Sequence, residues 1–230
     1  MWEYFGDRRE GFFVEVGANH PREGSQTWLL EQNGWSGLLV EPQERLYREL
    51  CQHRPRARVF RAACSAPNKT GFADLHIPAE DLNGFATLER NVDDFGIGYA
   101  RTERVELVTL DDLLAQAGSL QVDFVSIDTE GTELDVLRGF NLARYQPALI
   151  LLEDKCQSLT KHRFLKAHGY KLVKRTELNN WYVPRHTRFS MSTVGERLRL
   201  WRKVFLGLPF RKFRRWRHTR ALRSDSKLNI

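Results

Sequence analysis

Three stretches of this 230-residue chain place acids where an apolar run stops: Phe12-Phe13-Val14-Glu15-Val16-Gly17-Ala18-Asn19, Leu38-Leu39-Val40-Glu41-Pro42, and Phe124-Val125-Ser126-Ile127-Asp128-Thr129-Glu130-Gly131. Carboxylates in such places can accept hydrogen bonds from hydroxyl groups or take a proton. Gly17 allows a tight turn close to a ligand, and Gly131 allows a positive φ between a strand and a helix. Glu41 follows Gly17 by 24 residues, near the spacing at which an acid after a second strand reaches ribose hydroxyls. His20 adds a further proton acceptor next to Asn19.

The elements that must carry these residues follow from periodicity. Residues 11–17, 36–42 and 57–65 read as strands, with helices over 25–34 and 43–54 between them. This β-α-β-α-β order, with runs such as Gly37-Leu38-Leu39-Val40 and Ala148 to Glu153, predicts a parallel sheet buried on both faces. A strand feeding a helix begins near Arg104, and the segment from Val122 to Phe140 repeats the pattern. Residues 146–155, a helix over 158–169, and the segments Tyr170 to Thr176 and Asn179 to Pro184 bring the total to about seven strands. Residues 66–103 read as a long irregular insertion and hence as a candidate substrate lid. Ligands of open α/β sheets bind beyond the carboxyl ends of the strands, where the strand order reverses.

A nucleoside-containing cofactor is the natural occupant of such a crevice. NAD needs three glycines around its pyrophosphate, and Gly17 is followed here by Asn19 and Arg22 at the other two places. S-adenosylmethionine has no phosphate, so one glycine and several carboxylates suit it better, and its sulfonium benefits from acids and aromatic faces. No metal-ligand set is read from the sequence. Cys51, Cys64 and Cys156 are odd in number and widely spaced, which argues against a disulfide framework or a zinc site. With no apolar leader and no membrane-spanning window, the expectation is a cytoplasmic protein.

With these residues in place, the segments Phe12 to Asn19, Leu38 to Pro42, Val105 to Leu114, Val122 to Phe140 and Ala148 to Glu153 resemble the FkbM family of S-adenosylmethionine-dependent methyltransferases. The resemblance implies a Rossmann-like seven-stranded methyltransferase sheet with helices on both faces, over residues 1–184. It implies methyl transfer to a hydroxyl, often of a sugar, so the partner is a small-molecule or glycan acceptor. On that likeness Glu15, Gly17 and Asn19 hold the amino-acid end of the cofactor, Glu41 its ribose, and Ala63, Cys64 and Ser65 border the adenine. The general base is Glu130 or His20, with Asp128 orienting substrate or cofactor. The plain alternative is that Asp128 and Glu130 cap the following helix. Asp111 and Asp112 read as a helix cap, and Glu133 and Asp135 as solvated or helix-end charges. Glu153 reads either as a site residue or as a partner of Lys155.

Residues 185–230 form a basic amphipathic C-terminal tail, with 14 Lys and Arg against 2 Asp and Glu, while the preceding residues carry a net charge of −5. Leu198, Trp201, Phe205 and Leu208 recur at helical spacing, and Phe210, Phe213 and Trp216 lie among arginines and lysines. The expected partner is an anionic membrane surface, making the enzyme peripheral. The rivals are nucleic-acid binding or methylation, docking of the tail on the body, and a non-catalytic cofactor-binding module.

Overall fold

A computed structural model describes residues 2–78, 86–88, 98–119, 121–156, 158–189, 192–211 and 213. Ten strands occur among them: β1 (Phe12–Val16), β2 (Ser36–Val40), β3 (Ala57–Phe60), β4 (Ala63–Cys64), β5 (Gly71–Pro78), β6 (Tyr99–Val108), β7 (Phe124–Ile127), β8 (Leu149–Glu153), β9 (Tyr170–Thr176) and β10 (Asn179–Pro184). Seven form one sheet in the order β3-β2-β1-β7-β8-β10-β9, and β4-β6-β5 form a second. In the large sheet β3, β2, β1, β7 and β8 run parallel, and β10 is antiparallel to both β8 and β9. This is the Rossmann-like methyltransferase architecture that the sequence leads one to expect, with the strand order reversing at β1 and β7.

Alternation along the strands decides what each face buries. Val14 and Val16 join Leu38, Val40, Val125, Ile127, Ile150 and Leu152 on one face. There they meet Leu110, Leu113 and Leu114 of α4 (Leu110–Gln116) and Val136 and Leu137 of α5 (Glu133–Arg138). Phe13, Leu39, Phe124, Leu149 and Leu151 point the other way, against Leu30 of α2 (Trp28–Gln32), Leu50 of α3 (Glu44–His53) and Trp35. Truncating a core leucine such as Leu50 to alanine costs about 2–5 kcal/mol in such packing. By the same alternation Glu15 must face α2 and α3.

Four expectations are corrected. Residues 57–65 are not one strand: pairing with β2 stops at Val40 and Phe60, and Arg61 turns to Glu44 (2.6 Å). Ala63 and Cys64 then pair with Leu107 and Val108, because the outer edge of β3 offers no further strand while β6 does. The strand that begins near Arg104 is the end of β6 and belongs to this second sheet. Residues 66–103 are not irregular throughout, since β5 pairs with β6 as an antiparallel ladder. Within that insertion, residues 79–85 and 89–97 lie outside the described residues. The cap of α4 is Thr109, whose Oγ1 accepts from the Asp112 amide (3.1 Å), while Asp111 accepts from the Asn141 amide (2.8 Å).

The described part of the tail packs on the body. The Arg185 amide donates to the Gly169 carbonyl (2.7 Å), and the Phe189 ring stacks on Tyr4 at 6.2 Å. Helix α8 (Val194–Trp201) opens with a capping box between Thr193 and Glu196 and runs into a turn of π-helix, Arg202–Leu206. The expected stripe is split: Phe205, edge-on to His162, and Leu208 are half-buried beside buried Val204 and half-buried Leu200, whereas Leu198 and Trp201 are exposed. Trp216 lies outside the described residues. No described helix is long and apolar enough to cross a membrane.

Candidate active site

Register brings the strand ends into one row. Val16 is level with Val40 and Ile127, and Ile127 with Leu152, so Gly17, Glu41, Asp128 and Glu153 stand side by side across β1, β2, β7 and β8. The row meets a cavity of about 210 Å³, whose wall includes Glu15, Gly17, Asn19, Glu41, Asp128 and Glu130. Ala63 and Cys64 line its other side, with Leu75, Ala86 and Leu88 of the insertion. Gly17 has φ of +78°, and a Cβ there would lie 1.8 Å from the Asp128 carbonyl oxygen, so only glycine lets β1 and β7 close at this point.

Glu41 is buried at the floor of the cleft. One carboxylate oxygen accepts from the Asn19 amide and the other from the Gln43 amide, both at 2.9 Å. Burial raises its pKa to about 7, against the lowering effect of those two amides. Asn19 holds a left-handed backbone at φ of +52° to present its amide, and Glu130 does the same at +51°. Such conformations are uncommon outside glycine and gather at functional sites.

Acids outnumber bases at the ends of β7 and β8. The carboxyl groups of Asp128 and Glu153 adjoin, with oxygens within 4.8 Å of one another, and the charge of Asp128 helps to hold the proton of Glu153. Exclusion of water raises both pKa values, and the charges of Glu130 and Glu133 add to the effect. Glu153 is buried and its pKa is raised to about 8, whereas Asp128, raised to about 6, is exposed and lines the cavity. Glu130 pairs with Lys155 (2.9 Å), and its carbonyl accepts from Thr87 (3.2 Å). Asp128, Glu130 and Glu153 each offer an oxygen within 4.8 Å of the others, a spacing that a cation could bridge. Beside them the buried hydroxyl of Thr129 has no hydrogen-bond partner among the described residues.

The remaining expected residues lie differently. Glu15 borders the cavity, yet its oxygens accept from the Gln26 amide (2.7 Å), Ser25 (2.9 Å) and Thr27 (2.5 Å), so it secures the loop after β1. His20 is outside the cavity wall, its Nδ1 accepting from the amides of Arg22 (3.2 Å) and Glu23 (2.9 Å). Ser65 is buried away from the wall, its amide donating to the Val108 carbonyl (2.8 Å). Glu133 is not solvated: it is buried at the start of α5, accepts from the Gly131 amide (2.8 Å) and pairs with Lys161 (3.0 Å). Asp135 pairs with Lys69 (2.6 Å). Sequence reasoning missed Thr129, although the hydroxyl between two site acids was a visible signal. It also missed Arg54, buried against Glu31 and donating to Thr27 (2.7 Å), for which no local signal exists.

Residues 15–172, more than half of the chain, match the family described as Methyltransferase FkbM domain. No curated protein matches the chain in sequence. Among solved structures it is similar to a methyltransferase FkbM from Methylobacillus flagellatus KT, at 15% identity and a TM-score of 0.49, over 76% of this chain and 44% of that one. It is also similar to M. capricolum TrmK in complex with S-adenosyl-homocysteine (8%, TM-score 0.42, 81% and 67%). A third likeness is to precorrin-6y C5,15-methyltransferase from Geobacter metallireducens GS-15 (14%, TM-score 0.39, 76% and 79%). The chain thus spans less than half the length of the first of these.

Proposed function

Because the chain belongs to the FkbM methyltransferase family, with S-adenosylmethionine as its cofactor, we propose that it methylates a hydroxyl of a carbohydrate or glycolipid acceptor, with Asp128 as the general base. The residues present fit the cofactor. Glu41 retains lone pairs beyond the two that its amide partners occupy, enough to accept from ribose hydroxyls. The orphaned Thr129 hydroxyl would find a partner in a bound polar group, and Ala63 and Cys64 offer an apolar bed for a flat base. Gly17 and Asn19 would approach the amino-acid end, while Glu15 would act from behind by holding their loop.

When bound, S-adenosylmethionine supplies a methyl group already activated by its sulfonium. What the protein must add is alignment of the acceptor oxygen and removal of its proton. Asp128 is the group best placed for the second task, since it lines the cavity and its pKa is raised. Glu153, with the higher pKa of the two, would keep its proton near neutral pH and spare the pair two adjacent charges. Glu130, engaged by Lys155, would orient the acceptor, and His20, turned into its own loop, has no part in the transfer.

The observation that carries this reading is that Gly17, Glu41 and Asp128, level with one another at adjacent strand ends, line one cavity at the switch point of the sheet. Titration calorimetry with S-adenosylmethionine, followed by transfer of labelled methyl to a panel of sugar hydroxyl acceptors, tests it. Asp128→Asn is expected to keep cofactor affinity within a few-fold and to lower turnover roughly 100-fold or more. Turnover that survives the substitution would remove Asp128 as the base, and label appearing only in nucleic acid would replace the acceptor class.

A further inference from the structure

Helix α8 carries two apolar stripes, and the body uses only one. Leu200 and Val204 face the body, and Arg211 pins the end of the segment by donating to the Cys156 carbonyl (2.8 Å), one residue beyond Lys155 in the site. Val194, Leu198 and Trp201, at spacings of four and three, form a second stripe, and they are 66%, 65% and 54% exposed. At helical pitch, Arg197 falls on one flank of that stripe and Arg202 on the other. Leu206 and Phe210 continue the exposed apolar surface beyond the helix.

Beside this stripe lies a groove of about 550 Å³ between α8 and the segment from His162 to Val173. Its floor is apolar, with Leu172, Phe189 and Phe205, and its rim is cationic, with Lys166, Lys171, Arg185 and Arg197. None of these four cations has a carboxylate partner among the described residues. Glu196, the acid nearest in sequence, is turned back to cap its own helix through the Thr193 amide (2.7 Å).

We propose that this face docks on an anionic phospholipid surface, with the Val194, Leu198 and Trp201 stripe in the acyl boundary and a headgroup phosphate at the cationic rim of the groove. Charge complementarity supports the choice, because residues 185–230 carry a net charge of +12 on a body of net −5. The aliphatic side chains favour lipid over nucleic acid, since Val194 and Leu198 gain nothing from phosphates and cannot stack on bases. The inference does not depend on the identity of the methyl acceptor.

Flotation of the full chain with phosphatidylcholine vesicles, with and without phosphatidylglycerol, tests it. The chain is expected to float with the anionic vesicles and at least tenfold less with the neutral ones. Leu198→Asp combined with Trp201→Asp, both on exposed positions, should reduce flotation at least tenfold while circular dichroism and cofactor affinity stay unchanged. Lys171→Glu combined with Arg197→Glu should do the same through the headgroup. Absence of flotation, equal flotation with both vesicles, or indifference to both double variants would overturn the proposal. Salt-sensitive binding to single-stranded RNA without flotation would also overturn it, giving the charge to nucleic acid.

Discussion

Two groups of acids, one buried and one only partly so, flank the large sheet and are treated in opposite ways. Behind β1, Glu15 and Glu31 surround Arg54, and Ser25, Thr27 and the amides of Gln26 and Arg56 supply the remaining donors. Along the strand ends, Asp128, Glu130, Glu133 and Glu153 share Lys155 and Lys161, and Glu41 has two amides and no ion pair among the described residues. The first group is balanced and closed, and its product is a fixed loop. The second is short of positive charge and of donors, which leaves lone pairs for a ligand. The difference separates a carboxylate that serves the fold from one that is held ready for chemistry, although strand-end position alone makes Glu15 and Glu41 look alike.

Removing the base from the balanced group should give the largest effect. Arg54→Met strands Glu31 and Glu15 without their cation and is expected to cost about 3–5 kcal/mol in urea unfolding. A loss under about 1 kcal/mol would mean that the first group is not balanced by Arg54 at all. Next in size is a pH effect of the second group. Glu41 has a raised folded-state pKa, so the ligand-free protein is favoured below the ordinary carboxylate pKa and loses that stability as pH rises towards about 7. The change is on the order of 3 kcal/mol, and Glu41→Gln should flatten it. Cofactor affinity runs the other way, rising through the same interval as the carboxylate becomes free to accept, which calorimetry at pH 5.5 and 8 would register. The smallest effect belongs to Glu153→Gln between pH 7 and pH 9: with its pKa raised to about 8, the folded wild type gives up its proton in that window and loses about 1 kcal/mol relative to the variant. Destabilisation at both pH values would show that the acid cluster is balanced after all.

The row of site acids was legible because parallel strands buried on both faces leave continuous apolar runs, and the acids stand where those runs stop. Glu41 and Asp128 needed no tertiary knowledge to be singled out. The break after Phe60 was not legible, since Ala57 to Cys64 keeps one apolar texture while changing partners from β2 to β6. Arg54 was invisible for a different reason: it lies 39 residues from Glu15, and a charge at a helix end ordinarily reads as solvated. In the tail, helical spacing revealed amphipathicity but not which stripe the body would cover, because Leu200 and Leu198 are equally apolar and only tertiary packing tells them apart.

The place of β1 in the strand order bears on how the protein is made. Its neighbour β2 follows within about twenty residues, but its other neighbour, β7, lies more than a hundred residues downstream, as does Asp123, which accepts from the Phe12 amide. At about 5–20 residues per second of synthesis, the inner edge of β1 stays unpaired for roughly 5–20 s, an open template for strand addition by a neighbouring chain. The crevice between β1 and β7 therefore does not exist in the half-made chain, and S-adenosylmethionine can assist folding only after β7 has docked. The nascent chain in that interval, rather than the finished enzyme, is the species most in need of a chaperone.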